Sequence, residues 1–303
     1  MRTRAEQQMM PEGIRHAARK TRGRVLKEDC IMNCFSAAEA VANFVGAAKK
    51  KASLPVWKML LLGVLAGMFI ALGGVSSGAA SHAVTDAGLA KTLSGVLFPG
   101  GLALVVLMGA ELFTGNCLIF IGVLDGKVSF AEMLKNWIFV YLGNFIGSII
   151  VAGGCAFFGQ MNLGGGAFGA ACIKTAAAKV SLPFANAVVL GFFCNLAVCF
   201  AVLAASEAKD VAGKIIGVFF PIAFFVICGF EHCVANMYYV PAGIFASQVP
   251  AYAGKAAEMG ADMTKLTWGA FFTGNLLPVT IGNILGGLFV AAAMYAAYKP
   301  EKK

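Results

Sequence analysis

Glu111 to Asn116 reads ELFTGN, and Glu231 to Asn236 reads EHCVAN. Each lies inside a long apolar region, about 92–124 and about 215–254, that carries no other Lys, Arg, Asp or Glu. A continuous membrane helix has little reason to place a carboxylate, a threonine, an asparagine and two glycines mid-segment, as GAELFTGN (109–116) does. A helix broken by a short loop does, provided the loop lines a cavity or packs in protein. The same argument covers GFEHCVANMYYVP (229–241), which ends in the helix-disfavouring Pro241. The two stretches therefore predict two broken helices, whose half-helix ends aim partial charges at the membrane centre, where an ion would pass.

The rest of the chain agrees with a bilayer setting. Its 303 residues are 59% hydrophobic and only 13% charged, against roughly 25% charged in soluble domains, and mean hydropathy is +0.79. Residues 59–81, 136–173, 180–206 and 266–298 contain no Lys, Arg, Asp or Glu, and each is long enough to cross a core of about 30 Å. With the two interrupted regions this predicts six membrane regions. The first apolar span follows an Arg-rich tail and lacks an Ala-x-Ala-like cleavage site, so a cleaved signal peptide is not expected. Even span number puts both termini on one side, which then holds 19 of the 24 Lys and Arg residues, twelve of them in residues 1–58. By the positive-inside rule that side is cytoplasmic. The net charge of +9 is thus a matter of topology, with attraction of the basic tail to anionic lipid, and calls for no nucleic acid. The nine cysteines form no CxxC pair, so no metal or disulfide framework is expected.

Self-comparison divides the chain in two. Pro55, Gly63 and Gly67 recur at the same spacings as Pro183, Gly191 and Asn195. ELFTGN answers to EHCVAN, and Asn136, Gly143, Asn144 and Gly147 answer to Asn275, Gly282, Asn283 and Gly286. Three landmarks in one order give three spans per half, about 55–158 and 183–298. An odd number forces the halves into opposite orientations, an inverted 3+3 repeat with the path near its pseudo-two-fold axis.

Several residues carry candidate chemistry. His232 is the one histidine expected at membrane depth, where ionisable groups are costly and usually functional, and histidine is the side chain most easily moved across its titration near neutral pH. It is positioned to lend a proton to a passing weak-acid anion. Glu111 and Glu231, with Asn116 and Asn236, are read as structural polar groups at the helix breaks, the carboxylates accepting hydrogen bonds from backbone amides that the breaks release. Asn195 and Thr114 are neutral hydrogen-bonding candidates for the centre. Lys179, before span four on the non-cytoplasmic side, is a cation able to attract anions. Phe98, Leu102, Leu112, Phe113 and Phe225 are apolar residues in or beside the broken elements, which spacing alone does not single out.

The motifs KKKASLP, LLLGVLAG, GAELFTGN, KNWIFVYLGNFIG, LGFFCNLAVCFAVL, GFEHCVANMYYVP and NLLPVTIGNILGG, running from about Ser36 to Tyr298, resemble the formate/nitrite transporter family. The resemblance implies an all-α integral membrane protein with six helices, aquaporin-like, helices two and five broken, assembled as a homopentamer with one pore per protomer in the inner (plasma) membrane. It implies transport of formate, nitrite, hydrosulfide or related monocarboxylates with protons, and no cofactor. It places Thr114 on the loop of the second helix, His232 with Asn195 at the central polar site, and Phe98, Leu102, Leu112, Phe113 and Phe225 at hydrophobic constrictions. Lys179 matches the family's vestibule lysine. Glu111 stands where some members have Asp, and TGN where some formate channels have TST, which leaves substrate choice open. A basic segment 1–35 and a short tail 299–303 flank the pore domain. A water- or glycerol-like channel is the alternative, but NPA is absent and no arginine occurs in the spans. An intramembrane enzyme using Glu231, His232 and Cys233 is disfavoured, because consecutive helical residues face different directions and no second cluster completes a site.

Overall fold

The computed structural model describes residues 34–299. The expected basic segment lies almost wholly outside them, as does the tail beyond Lys299. Besides a single 3-10 turn (Gln160–Asn162), eleven helices follow among the described residues: α1 (Ala37–Ala52), α2 (Val56–Ser81), α3 (Ala87–Met108), α4 (Phe113–Leu124), α5 (Phe130–Phe157), α6 (Ala167–Val180), α7 (Phe184–Glu207), α8 (Val211–Ile227), α9 (Cys233–Ala246), α10 (Pro250–Glu258) and α11 (Trp268–Tyr298). Five of them, α2, α3, α5, α7 and α11, are long and apolar enough to cross a membrane. The region around Glu231 is instead divided between the shorter α8 and α9, and α4 continues beyond the break after α3.

Both breaks are made the same way. Gly109 ends α3 with φ 65° and Gly229 follows α8 with φ 71°, a left-handed conformation that costs glycine little. Ala110 N–H donates to Val105 O at 3.0 Å and Gly109 N–H to Val106 O at 3.4 Å; Phe230 N–H donates to Phe225 O at 3.0 Å and Gly229 N–H to Val226 O at 3.1 Å. These are paired Schellman closures, which satisfy the last carbonyls of each half-helix. The chain then runs extended for a few residues and re-enters helix at Phe113 and Cys233. Pro241 does not end the second segment: α9 continues through it to Ala246. A proline inside a buried membrane helix is tolerated because neighbouring helices hold the backbone where water would have let it fray.

The charge-free run 136–173 is also more than one span. α5 stops at Phe157, a turn with positive φ at Gly159, Gly164, Gly165 and Gly166 follows, and α6 then packs against α9.

Small residues bring the helices together. α2 lies along α5, and α7 along α11. A Cβ added to Gly63 would stand 2.9 Å from Val140 O, and one on Gly191 2.8 Å from Val279 O, closer than side chains come to a backbone oxygen. Without a hydrophobic force between helices in lipid, such close backbone approach supplies the packing energy. α1 is amphipathic and opens with a Ser36–Glu39 capping box. Hydrogen bonds from Ser36, the backbone N–H first and the hydroxyl second, hold the Glu39 carboxyl below the ordinary carboxylate range. Its apolar face (Val41, Phe44, Val45 and Ala48) is buried, and its last turn carries Lys49, Lys50 and Lys51.

Candidate functional site

Each half-helix break is held by one repeated set of polar bonds. In the first half, Lys51 Nζ donates to Glu111 Oε1 at 2.8 Å and to Asn116 Oδ1 at 3.1 Å, while Asn116 Nδ2 donates to Glu111 Oε2 at 2.6 Å and to Asn136 Oδ1 at 2.8 Å. Asn136 Nδ2 closes the ring on Lys51 O at 3.0 Å. In the second half, Lys179 Nζ donates to Glu231 Oε1 and Oε2 at 2.8 and 3.0 Å, and Asn236 Nδ2 to Glu231 Oε2 and Asn275 Oδ1 at 2.7 and 2.8 Å. Asn275 Nδ2 returns to Lys179 O at 2.9 Å. Glu111 and Glu231 are 4% and 5% exposed. A carboxylate so buried is tolerable only when paired and fully hydrogen-bonded.

The amides released by the breaks go elsewhere than expected. Phe113 N–H donates to Asn144 Oδ1 at 2.9 Å and Cys233 N–H to Asn283 Oδ1 at 2.8 Å. The two carboxylates accept instead from the lysines and from Asn116 and Asn236. The reason is that α5 and α11 present an asparagine to each break at the turn where the glycines let them approach. In the sequence Asn144 and Asn283 stand out as repeat landmarks but their role does not, and neither does the pairing of Lys51 with Glu111. The equal spacing of Lys51 to Pro55 and Lys179 to Pro183 was the available signal.

Where the two breaks meet, Thr114 Oγ1 lies 2.8 Å from His232 Nε2. His232 is the N-cap of α9, and its Nδ1 accepts the Ala235 N–H at 3.0 Å. With Nδ1 accepting, the neutral ring carries its proton on Nε2 and donates it to Thr114. From α7, Asn195 Nδ2 donates to Thr114 O at 3.2 Å and to Asn283 O at 2.6 Å, and Cys199 Sγ reaches Thr114 O at 3.7 Å. Thr114, Asn195 and His232 are 0%, 0% and 3% exposed. Asn195 Oδ1 has no hydrogen-bond partner among the described residues.

Two cavities approach this centre. The smaller, about 470 Å³, is lined by Lys50, Lys51, Lys214, Glu111, Leu102 and Leu112 among others. The larger, about 590 Å³, is lined by Lys179, Glu231, His232, Phe98 and Phe225 among others. Along α3 the wall passes from one cavity to the other between Phe98 and Leu102, both nearly inaccessible to solvent. Phe98 meets Phe225 edge-on at 5.5 Å, and Phe225 stacks on His232 at 5.9 Å. Leu112 faces the smaller cavity, whereas the Phe113 ring packs edge-on against Trp137 and Tyr141 of α5. Lys179 is in the last turn of α6, not in a free loop, and its ammonium also lies 5.5 Å from the Tyr239 ring. The structure thus brings His232, Thr114 and Asn195 into one cluster, and sets Phe98, Phe225, Leu102 and Leu112 around it.

Comparisons with known proteins agree with this arrangement. A family model for formate/nitrite transporters matches residues 38–297. The probable formate transporter of Methanothermobacter thermautotrophicus is 38% identical over 279 residues, covering 84% of this chain and 93% of that protein. The formate channel FocA of Haemophilus influenzae is 36% identical over 256 residues, 82% of this chain and 89% of that protein. A solved pentameric formate channel with formate bound matches with a TM-score of 0.72 at 34% identity, over 81% of this chain and 98% of the other. The chain is a multi-pass, all-helical membrane protein that belongs to the formate/nitrite transporter family, a family of channels and transporters and not of enzymes.

Proposed function

We propose that the chain passes small monovalent weak-acid anions through one pore per protomer, formate first, with nitrite and hydrosulfide of the same charge and size class close behind. The observation that carries this is the buried Thr114–His232 hydrogen bond, set between two cavities and flanked by Phe98, Leu102, Leu112 and Phe225. The matching bond sets at the two breaks support six crossings in an inverted 3+3, aquaporin-like arrangement with helices two and five broken. The solved pentameric formate channel supports a homopentamer in the lipid bilayer. Both termini face the cytoplasm across the inner membrane.

The proposed passage has three steps. Basic side chains at the cavity walls raise the local anion concentration. The apolar layer then opposes a bare anion, since desolvating a charge is costly. The falling dielectric raises the anion's proton affinity, so the anion takes a proton from the water of the cavity, and the neutral acid so formed crosses beside the polar centre. In this geometry His232 assists as a donor. A proton passed from Nε2 would leave an imidazolate unless Nδ1 first gained one, and that would displace the Ala235 N–H. The hydroxyl of Thr114, holding the Nε2 proton on its lone pair, has its own proton free to meet the substrate. Lys179 spends two of its three N–H groups on Glu231, so its remaining donor acts on an anion at contact and little at a distance.

The test is flux into proteoliposomes holding pentamer-checked protein, with formate, nitrite, hydrosulfide and glycerol, across several external pH values. Wild-type protein is expected to pass formate with a steep pH dependence and to exclude glycerol. His232→Asn keeps a hydrogen-bonding side chain but removes the Nε2–H donor that leaves the Thr114 hydroxyl proton free for the substrate; it should assemble and lose the pH dependence and the accompanying proton movement. Wild-type-like pH dependence in the assembled variant would remove His232 from the mechanism, and glycerol flux equal to formate flux would remove the anion reading.

A further inference from the structure

The charges on the wall of the larger cavity do not balance. Besides the phenol of Tyr239, five ionisable side chains line it: Lys91, Lys174, Lys179, Glu231 and His232. Lys179 and Glu231 neutralise each other at 2.8 Å. His232 is neutral in the tautomer its bonds require, with Nδ1 accepting and Nε2 donating. Lys91 and Lys174 remain, both exposed and neither in an ion pair with any described residue. Two uncompensated ammonium groups therefore share one concave wall.

Their placement follows from helix geometry. Ala87, Ala90, Lys91, Ser94 and Phe98 form a lining stripe on α3, and Ala171, Lys174, Thr175, Ala178 and Lys179 form one on α6. These are the 3- and 4-residue spacings of a single helix face. At 1.5 Å per residue, Lys91 stands about 10 Å along its helix from Phe98, and Lys174 about 7 Å from Lys179. Lys91 Nζ is fixed more closely still, 3.7 Å from where a Cβ on Gly229 would stand, at the break that leads to Glu231. The Thr175 hydroxyl has no hydrogen bond to another described residue and lies on the same stripe as Lys174.

Such a wall favours more charge than the transported anion carries. Each of two separate ammonium groups attracts a dianion twice as strongly as a monoanion, and a tetrahedral oxyanion has an oxygen for each of them and another for a hydroxyl donor. The same dianion cannot go further. The cost of desolvating an ion grows with the square of its charge, and Phe98 and Phe225, 2% and 4% exposed, close the way inward.

We propose that Lys91 and Lys174, with Thr175, form a binding site for multivalent oxyanions of the sulfate and phosphate class. An occupant is held above the apolar layer and obstructs entry of the monovalent substrate. The inference rests on the transport reading given above. It differs from that reading in naming a ligand that binds and does not pass.

Sulfate is the suitable probe because it stays divalent throughout the working pH range. Proteoliposomes of phosphatidylcholine are loaded with wild-type protein or with the Lys91→Gln, Lys174→Gln double variant. Formate flux is then measured with and without external sulfate, at matched ionic strength against chloride. Sulfate is expected to slow wild-type formate flux by about fivefold at low ionic strength, the scale of two exposed ion pairs. The effect should vanish near 1 M salt, where screening reaches about 3 Å. In the double variant formate flux, whatever its level, should no longer respond to sulfate. Calorimetric titration of sulfate into detergent-solubilised pentamer gives a readout independent of transport and should show heat for the wild type only. Formate flux that ignores sulfate, equal inhibition of the double variant, or sulfate entry into the vesicles would each overturn the proposal. Absence of formate flux altogether would instead strike the transport reading, and the calorimetric arm would still decide this one.

Discussion

At the scale of single residues, the two breaks depend on asparagine because no other short side chain combines two donors with one acceptor. Asn144 Nδ2 donates to Gly63 O and Glu111 O at 2.8 and 2.9 Å while its Oδ1 accepts from Phe113 N–H; Asn283 repeats this with Gly191 O, Glu231 O and Cys233 N–H. Replacing Asn144 or Asn283 with the near-isosteric Leu orphans two buried backbone groups at each break, the carbonyl of Glu111 or Glu231 and the N–H of Phe113 or Cys233, each costing about 1–3 kcal/mol, and strips a second bond from the helical carbonyl of Gly63 or Gly191. The expected result is loss of assembled protein, or a midpoint of thermal unfolding lowered by many degrees, read by scanning fluorimetry and size exclusion. A leucine variant with wild-type unfolding would show that the breaks are held by something else. Asn195 differs, because its Oδ1 is unpartnered. These contrasts explain what was legible in the sequence and what was not. An ionisable residue in an apolar run advertises a break, so Glu111, Glu231 and His232 were found. Recurrence of Asn144 and Asn283 identified positions worth noticing but could not reveal their partners, which lie 31 and 50 residues away across helices whose approach is set by packing.

At the scale of elements, glycine decides which helices touch. A Cβ on Gly147 would overlap Val64 O of α2, and one on Gly282 would overlap Val188 O of α7. Neither clash can be relieved by a rotamer, since both partners are backbone. Gly147→Val and Gly282→Val should therefore separate α2 from α5 or α7 from α11 and abolish folding of the protein. Gly46 offers the opposite case: it lies within α1, is exposed, and has nothing within 4 Å of an added Cβ. Gly46→Ala should be stabilising by about 0.5–1 kcal/mol through helix propensity alone. Finding Gly147→Val as stable as Gly46→Ala would refute the packing argument. The spans were legible because hydropathy reports burial in lipid, and α6 was hidden for the same reason. Its apolar start joins α5 through a loop without charge, so composition cannot mark the turn that positive φ at Gly164, Gly165 and Gly166 creates. Pro241 misled in the other direction, since its helix-breaking cost is measured in water and falls where neighbouring helices hold the chain.

At the scale of the whole molecule, the question is how the two halves stand in the membrane. α2, the α3–α4 pair and α5 separate α1 from the turn at Gly165; α7, the α8–α9 pair and α11 separate α6 from the C-terminus. In the proposed arrangement each half crosses three times, which would place that turn opposite both ends. The charges agree: Lys49, Lys50, Lys58, Lys127, Lys135, Lys209 and Lys214 fall in the segments assigned to one side, and Lys91, Lys174, Lys179, Lys255 and Lys265 in those assigned to the other. With the basic first 30 residues added, the positive-inside rule assigns the first group to the cytoplasm in the proposed topology. A reporter fused after Lys303 should therefore be active in the cytoplasm, and one inserted at Gly165, which is exposed in its turn, should be active outside. The same experiment bears on the chemistry, because inverted halves turn the α3 and α8 breaks toward each other, and only then do Thr114 and His232 come from opposite sides to share one proton. Parallel halves would give an odd number of crossings between equivalent positions no meaning and would leave the Thr114–His232 bond unexplained. Both reporters active on the same side would thus remove the inverted repeat and, with it, the reason for placing the pore between the two half-helix breaks.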